Sequence, residues 1–218
     1  MPIELSEQEK IVLNVVIEYL NKNRYFNMEK IVSFINARFR MMSININNRG
    51  IEEILKSLVN KNLIVEGSKL TSQNLLTSEK RRIIYDFIVQ NPGTYFNKIV
   101  EELKISNHVV VWHLNMLLKF DFIKSESIEQ HKVYFDSKFD LKRSKYAYFS
   151  SKEKSKQIII YLKNNDIGIT KSQISADLKI HSNTVSKYLD FLEKIEIIIK
   201  KTYSNKTLYF LNENLIEI

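Results

Sequence analysis

The chain has 218 residues, 44% hydrophobic and 27% charged, enough for one ordinary core or two to three small ones and too apolar for extended disorder. It has no cysteine, which excludes disulfides, thiolate metal sites and cysteine nucleophiles, and no window approaches the roughly 18 uninterrupted apolar residues of a spanning helix. The opening MPIELSEQEK lacks a basic segment followed by an apolar one, so a cytoplasmic protein is expected, and the net charge of +8 favours a polyanionic partner such as nucleic acid or an acidic surface.

In chain order, helical periodicity first runs from Ser6 to Asn21, where Ser6 followed by Glu9 makes a capping-box pattern. Further helices are expected over about 27–39 and 47–61, and LIVEGSKLT at 63–71 reads as strand, Gly-Ser turn and strand. Residues 1–71 are therefore read as a divergent winged helix, with a helical dimerisation cap as the alternative.

From residue 78 the chain repeats itself. Residues 78–135 match 153–210 at an offset of 75 without a gap, which marks a duplicated module. The identical pairs include Gly93/Gly168, Ile99/Ile174, Val110/Val185, Leu114/Leu189, Leu117/Leu192 and Tyr134/Tyr209. Val110, Leu114 and Leu117, like Val185, Leu189 and Leu192, recur at i, i+4 and i+7 and so lie on one helix face. Each copy begins with a helix, near 79–90 or 153–164, and the shared glycine follows where positive φ is tolerated. Each copy ends in a hairpin pattern, FIKSESIEQHKVYF at 122–135 and IIIKKTYSNKTLYF at 197–210. Three helices and a hairpin make a winged helix over 72–135 and another over 153–218. Residues 136–152 form a basic linker between them, with partial helix as an option; the surrounding stretch 136–156 holds seven basic residues and no clean period. The fold class is thus mostly α with small β wings, in three tandem winged helix-turn-helix modules.

The stretches 88–123 and 169–198 resemble archaeal transcriptional regulators built from tandem winged helices. The resemblance is carried by Asn91-Pro92-Gly93, Phe96, Ser106, Val110, His113 and Leu114, and it implies promoter binding. The layout is also similar to that of the euryarchaeal regulators of archaellum (motility) genes.

In a winged helix the third helix enters the major groove and its first exposed side chains meet base edges. In the last module these are His181, Ser182, Asn183, Thr184, Ser186 and Lys187, all able to hydrogen bond, and residues 142–218 carry a net charge of +6. Lys200, Lys201 and Lys206 place ammonium groups on that module's wing for phosphate contact. A solvated polar surface is the plainer reading of both sets. In the middle module the equivalent positions include Val111 and Trp112, with Leu118 nearby, and residues 72–141 have zero net charge. That face fits a protein contact, with packing on thymine methyls as the alternative. In the first module Asn47 and Arg49, preceded by Arg38 and Arg40, are read as DNA contacts, with helix capping an equal alternative for Asn47.

No enzyme is expected. The four histidines are scattered without metal-ligand spacing, and four glycines make no phosphate loop. No cofactor and no metal follow. The expected partners are double-stranded promoter DNA, a second copy of the chain and the basal transcription machinery, without a membrane. The rival reading is a tandem winged-helix adaptor or RNA polymerase accessory factor.

Overall fold

The computed structural model describes residues 4–212; residues 1–3, which begin the first predicted module, and 213–218, which end the last, lie outside the described residues. The described chain is mostly helical with two small antiparallel sheets. Its elements run α1 (Glu7–Lys22), α2 (Met28–Met41), α3 (Asn48–Asn60), a 3-10 turn (Ser72–Thr77), α4 (Glu79–Gln90), β1 (Thr94–Tyr95), α5 (Phe96–Leu103) and α6 (Asn107–Lys119). They continue with β2 (Ile123–Ile128), β3 (His131–Asp136), a 3-10 turn (Leu141–Arg143), α7 (Ser144–Ser150), α8 (Glu153–Lys163), α9 (Lys171–Asp177), α10 (Ser182–Lys194), β4 (Ile198–Tyr203) and β5 (Lys206–Leu211). Among the described residues no helix is long and apolar enough to cross a membrane. Two compact units result, Met1–Phe87 with Ile99–Lys124, and Ile88–Lys98 with Ser125–Ile218, so residues 72–135 are shared between them.

In the first unit α1, α2 and α3 bury one face each. Val12, Val16, Ile31, Ile35, Ile51 and Leu55 are all fully buried in a common core. The capping box at α1 forms as the sequence predicts: the Ser6 N–H donates to Glu9 Oε2 at 2.8 Å and the Glu9 N–H to Ser6 Oγ at 3.2 Å. Glu9 is buried, and its other oxygen accepts from Ser57 Oγ at 2.6 Å and Lys61 Nζ at 2.7 Å. The hydrogen bonds from Lys61, Ser57 and Ser6 hold its carboxyl down at about 2 despite the burial. The predicted wing at 63–71 is corrected to a single bridge, Ile64 to Thr71. Its turn is tied elsewhere: the Phe26 N–H donates to the Ser68 carbonyl and the Gly67 N–H to the Phe26 carbonyl, both at 2.9 Å, so these groups are spent outside any ladder.

In the second unit the strands form a sheet of order β1-β3-β2 and a separate β4-β5 hairpin, both antiparallel. Val133 and Phe135 of β3 share one core with Tyr148 and Phe149 of α7, Ile158 and Leu162 of α8, and Val185, Leu189 and Leu192 of α10. Residues 136–152, expected as a basic linker, thus include a short helix with Ala147, Tyr148 and Phe149 buried. These apolar residues are contiguous and carry no helical period, which is why composition alone reads the stretch as solvated. Both repeat glycines have the expected positive φ, +83° at Gly93 and +79° at Gly168. Gly93 also lets the chain pass against the α7 backbone, because a Cβ there would lie 2.6 Å from the Tyr148 nitrogen.

Candidate nucleic-acid interface

The α9-turn-α10 segment is built from local chemistry. Thr170 and Gln173 cap α9 reciprocally, the Thr170 N–H donating to Gln173 Oε1 at 3.0 Å and the Gln173 N–H to Thr170 Oγ1 at 3.3 Å. Lys179 closes the turn at φ +53°, and Ser175 Oγ donates to the Ile180 carbonyl at 2.7 Å. The α10 cap is His181, whose Nδ1 accepts the Asn183 N–H at 3.2 Å. His181 thus has a structural task that its sequence position does not reveal.

Burial sorts the predicted readers. Val185, Leu189 and Leu192 are buried, as their spacing requires. His181, Asn183 and Lys187 are exposed, whereas Ser182, Thr184 and Ser186 are half-buried at the base of the face. Asn183 and Lys187, four residues apart, stand on the same side of the helix. Lys187 Nζ lies 5.9 Å from the Phe191 ring centroid.

The wing lysines are exposed but do not act as one cluster. Pairing of Lys200 with Tyr209 and of Lys201 with Leu208 puts the two lysines on opposite faces of the hairpin. Lys200 Nζ is 3.9 Å from a Glu193 carboxylate oxygen on α10, while Lys201 sits 5.0 Å above the Phe210 ring. Lys206, opposite Tyr203, shares the face of Lys201.

At the first-module positions, Asn47 caps α3, its Oδ1 accepting the Gly50 N–H at 2.8 Å, and Arg49 pairs with Glu53 at 3.2 Å in an exposed i, i+4 bridge. Arg38 is committed to Glu18 through two hydrogen bonds of 2.9 and 2.5 Å. These geometries favour capping for Asn47 and leave Arg40 as the exposed arginine of α2.

On α6, Val111 is 45% and Trp112 51% exposed, and Leu118, one stripe with Val111 at i+7, is half-buried. The exposed Asn115 interrupts that stripe. Trp112 has a partner that sequence reading missed: the Arg81 guanidinium lies 5.0 Å from its ring centroid. Arg81 is only 2% exposed and donates from Nη1 to the Leu75 carbonyl. Burial lowers its pKa from the usual guanidinium value, and burial, then the Arg81 and Lys80 charges, lower that of His113, which packs edge-on to Trp112 at 4.8 Å and is neutral at pH 7. His113, 4% exposed, is thus a packing residue of α6.

A second missed group lies at the β2–β3 tip. Glu129 accepts from Lys152 Nζ at 2.6 Å and Tyr148 OH at 3.0 Å, and Lys152 sits 4.3 Å over the Tyr148 ring. Burial pushes the Glu129 carboxyl up, but the bonds from Lys152 and Tyr148 and the Lys152 and Lys187 charges outweigh it and hold the group ionised. No sequence spacing links these residues, since strand pairing and α7 bring them together. Among the described residues no group of His, Asp and Glu side chains could hold a metal ion.

Residues 78–145 match the family described as HTH_HVO_0163_N, N-terminal HTH domain. Over 148 residues, 68% of its length, the chain is 28% identical to the uncharacterized HTH-type transcriptional regulator MJ1398 of Methanocaldococcus jannaschii, of which it spans 37%. Residues 78–145 are therefore similar to a helix-turn-helix domain, and the chain is similar to an archaeal protein named as a transcriptional regulator.

Proposed function

We propose that the chain is a sequence-specific double-stranded DNA-binding transcriptional regulator built from three tandem helical modules, the last two of them winged, with the α9–α10 module and its β4–β5 wing as the main reader. The observation that carries this is the exposed pair Asn183 and Lys187 on one side of α10; the exposed Lys201 and Lys206 add cations on one face of the wing that follows. An asparagine amide can pair bidentately with adenine, and a lysine reaches guanine or phosphate. The helix-turn-helix match and the name of the archaeal relative support the reading. Its layout makes archaellum-gene promoters the first to test. The protein works without catalysis or cofactor, in the cytoplasm, as a homodimer that reads two half-sites, and it acts on the basal transcription machinery.

Removing one lysine that touches a phosphate should flatten the log-log salt dependence of DNA affinity by about 1. Lys201→Ala with Lys206→Ala is expected to reduce the slope by about 2 and to weaken binding to all sequences alike. Lys200→Ala should change it less, because Glu193 already offsets that charge. A parental slope in the double variant would show that the wing stays in solvent.

The middle module's α6 face serves a protein contact, the second copy of the chain. Support comes from Val111 and Trp112, adjacent and both about half exposed. Trp112 is the single tryptophan, so its emission should shift to the blue as concentration drives association, and Trp112→Ala should weaken the dimer. Red emission at all concentrations, quenched by DNA, with the dimer intact in Trp112→Ala, would instead make α6 a DNA reader.

A further inference from the structure

In the second unit a cavity of about 510 Å³ opens where the Leu141–Arg143 turn and the start of α7 meet the end of α10 and the start of β4. Lys142, Arg143 and Lys145 stand on one side of it and Lys194 on the other. All four are exposed, and none makes an ion pair with a described carboxylate. Of the two acids at the rim, Asp140 is already engaged, its Oδ1 accepting the Lys142 N–H at 3.0 Å to cap the turn. The cations therefore outnumber the acids, and their mutual repulsion is relieved by a bound anion.

The floor differs from the rim. Tyr146 and Ile195, both half-buried, supply ring and aliphatic surface, with the buried Ile197 beneath them. The wall is a fixed turn: Glu196 holds φ +62°, and Asn212 Nδ2 donates to its carbonyl at 2.7 Å. The volume lies within the range of small-molecule sites, about 300–1,000 Å³. A bare inorganic anion would satisfy the rim and leave the floor wet, and a phosphate of the DNA backbone would do the same. An anionic head on an apolar body uses both.

We propose that this cavity binds a small organic anion, an aromatic or aliphatic body bearing a phosphate or a carboxylate, at the turn that joins α10 to β4. The site is tested without DNA, so it stands or falls apart from the DNA reading. The ¹⁵N-labelled full chain is titrated with phenyl phosphate, benzoate and inorganic phosphate. At least one aromatic anion should give saturable shifts confined to the amides of 140–146 and 194–197 and bind about tenfold or more tighter than inorganic phosphate; the tighter of the two identifies the head group. Arg143→Ala combined with Lys194→Ala, both surface changes, should cost about tenfold in that affinity with the rest of the spectrum unchanged, and Tyr146→Ser should weaken the aromatic ligand but not inorganic phosphate. No saturable shift, equal affinity for inorganic phosphate, or parental affinity in the double variant would overturn the proposal.

Discussion

Gly93→Ala is expected to destabilise the chain by about 3–4 kcal/mol, which combines two costs. A left-handed backbone, φ +83° here, costs an alanine about 1–2 kcal/mol. The added methyl would also lie 2.6 Å from the Tyr148 nitrogen and 2.7 Å from its Cα, and overpacking of this kind adds about 1–3 kcal/mol. Backbone atoms cannot swing aside as a side chain can, so the cost falls on the α7 seat. Gly67→Ala is the control, with φ +75° and nothing within 4 Å of the new methyl, and should lose only the backbone share. At Gly168 the methyl would overlap the Phe210 ring, a side chain that can give, and an intermediate loss follows. Urea unfolding measures all three; equal losses for Gly93→Ala and Gly67→Ala would mean that α7 does not press on the glycine.

Glu9→Gln should cost about 2 kcal/mol at neutral pH, because Lys61 would lose its charged partner while still half enclosed. The effect has a defined pH window. The Glu9 carboxyl falls from 4.5 to about 2 on folding, so its contribution is complete above 4.5 and lost as pH drops toward 2. The stability gap between parent and Glu9→Gln should therefore be full at pH 6, reduced at pH 3 and nearly closed near pH 2. A gap that does not change with pH would assign the loss to packing and not to the ionised network.

The parts of the fold legible in the sequence are those with a period or a local partner. Val110, Leu114 and Leu117 announce a buried helix face, Ser6 and Glu9 announce a cap, and the offset glycines announce two equivalent turns. All form. What stayed hidden depends on distant chain. The 63–71 stretch has the residues of a hairpin, but its turn hydrogen bonds go to Phe26, roughly forty positions upstream. The Tyr146–Phe149 run is too short for periodicity, and its core comes from β3, α8 and α10, elements outside the run. Arg81 looks like one more surface charge beside Lys80 and Arg82, yet it is buried, with its guanidinium over Trp112. At the proposed interface the exposed row is half legible: Asn183 and Lys187 stand out, while the half-burial of the serines and the threonine and the capping role of His181 follow only from how α10 seats on the module.

If α10 reads base sequence, selection of bound fragments from a random duplex pool will show it when parent and Asn183→Ala are run side by side. The parent should enrich one motif at moderate salt, and Asn183→Ala should relax the preference at a single base position at a cost of about 1–3 kcal/mol. Failure of the parent to enrich any motif, or an unchanged motif and affinity in Asn183→Ala, would mean that α10 is not the reader.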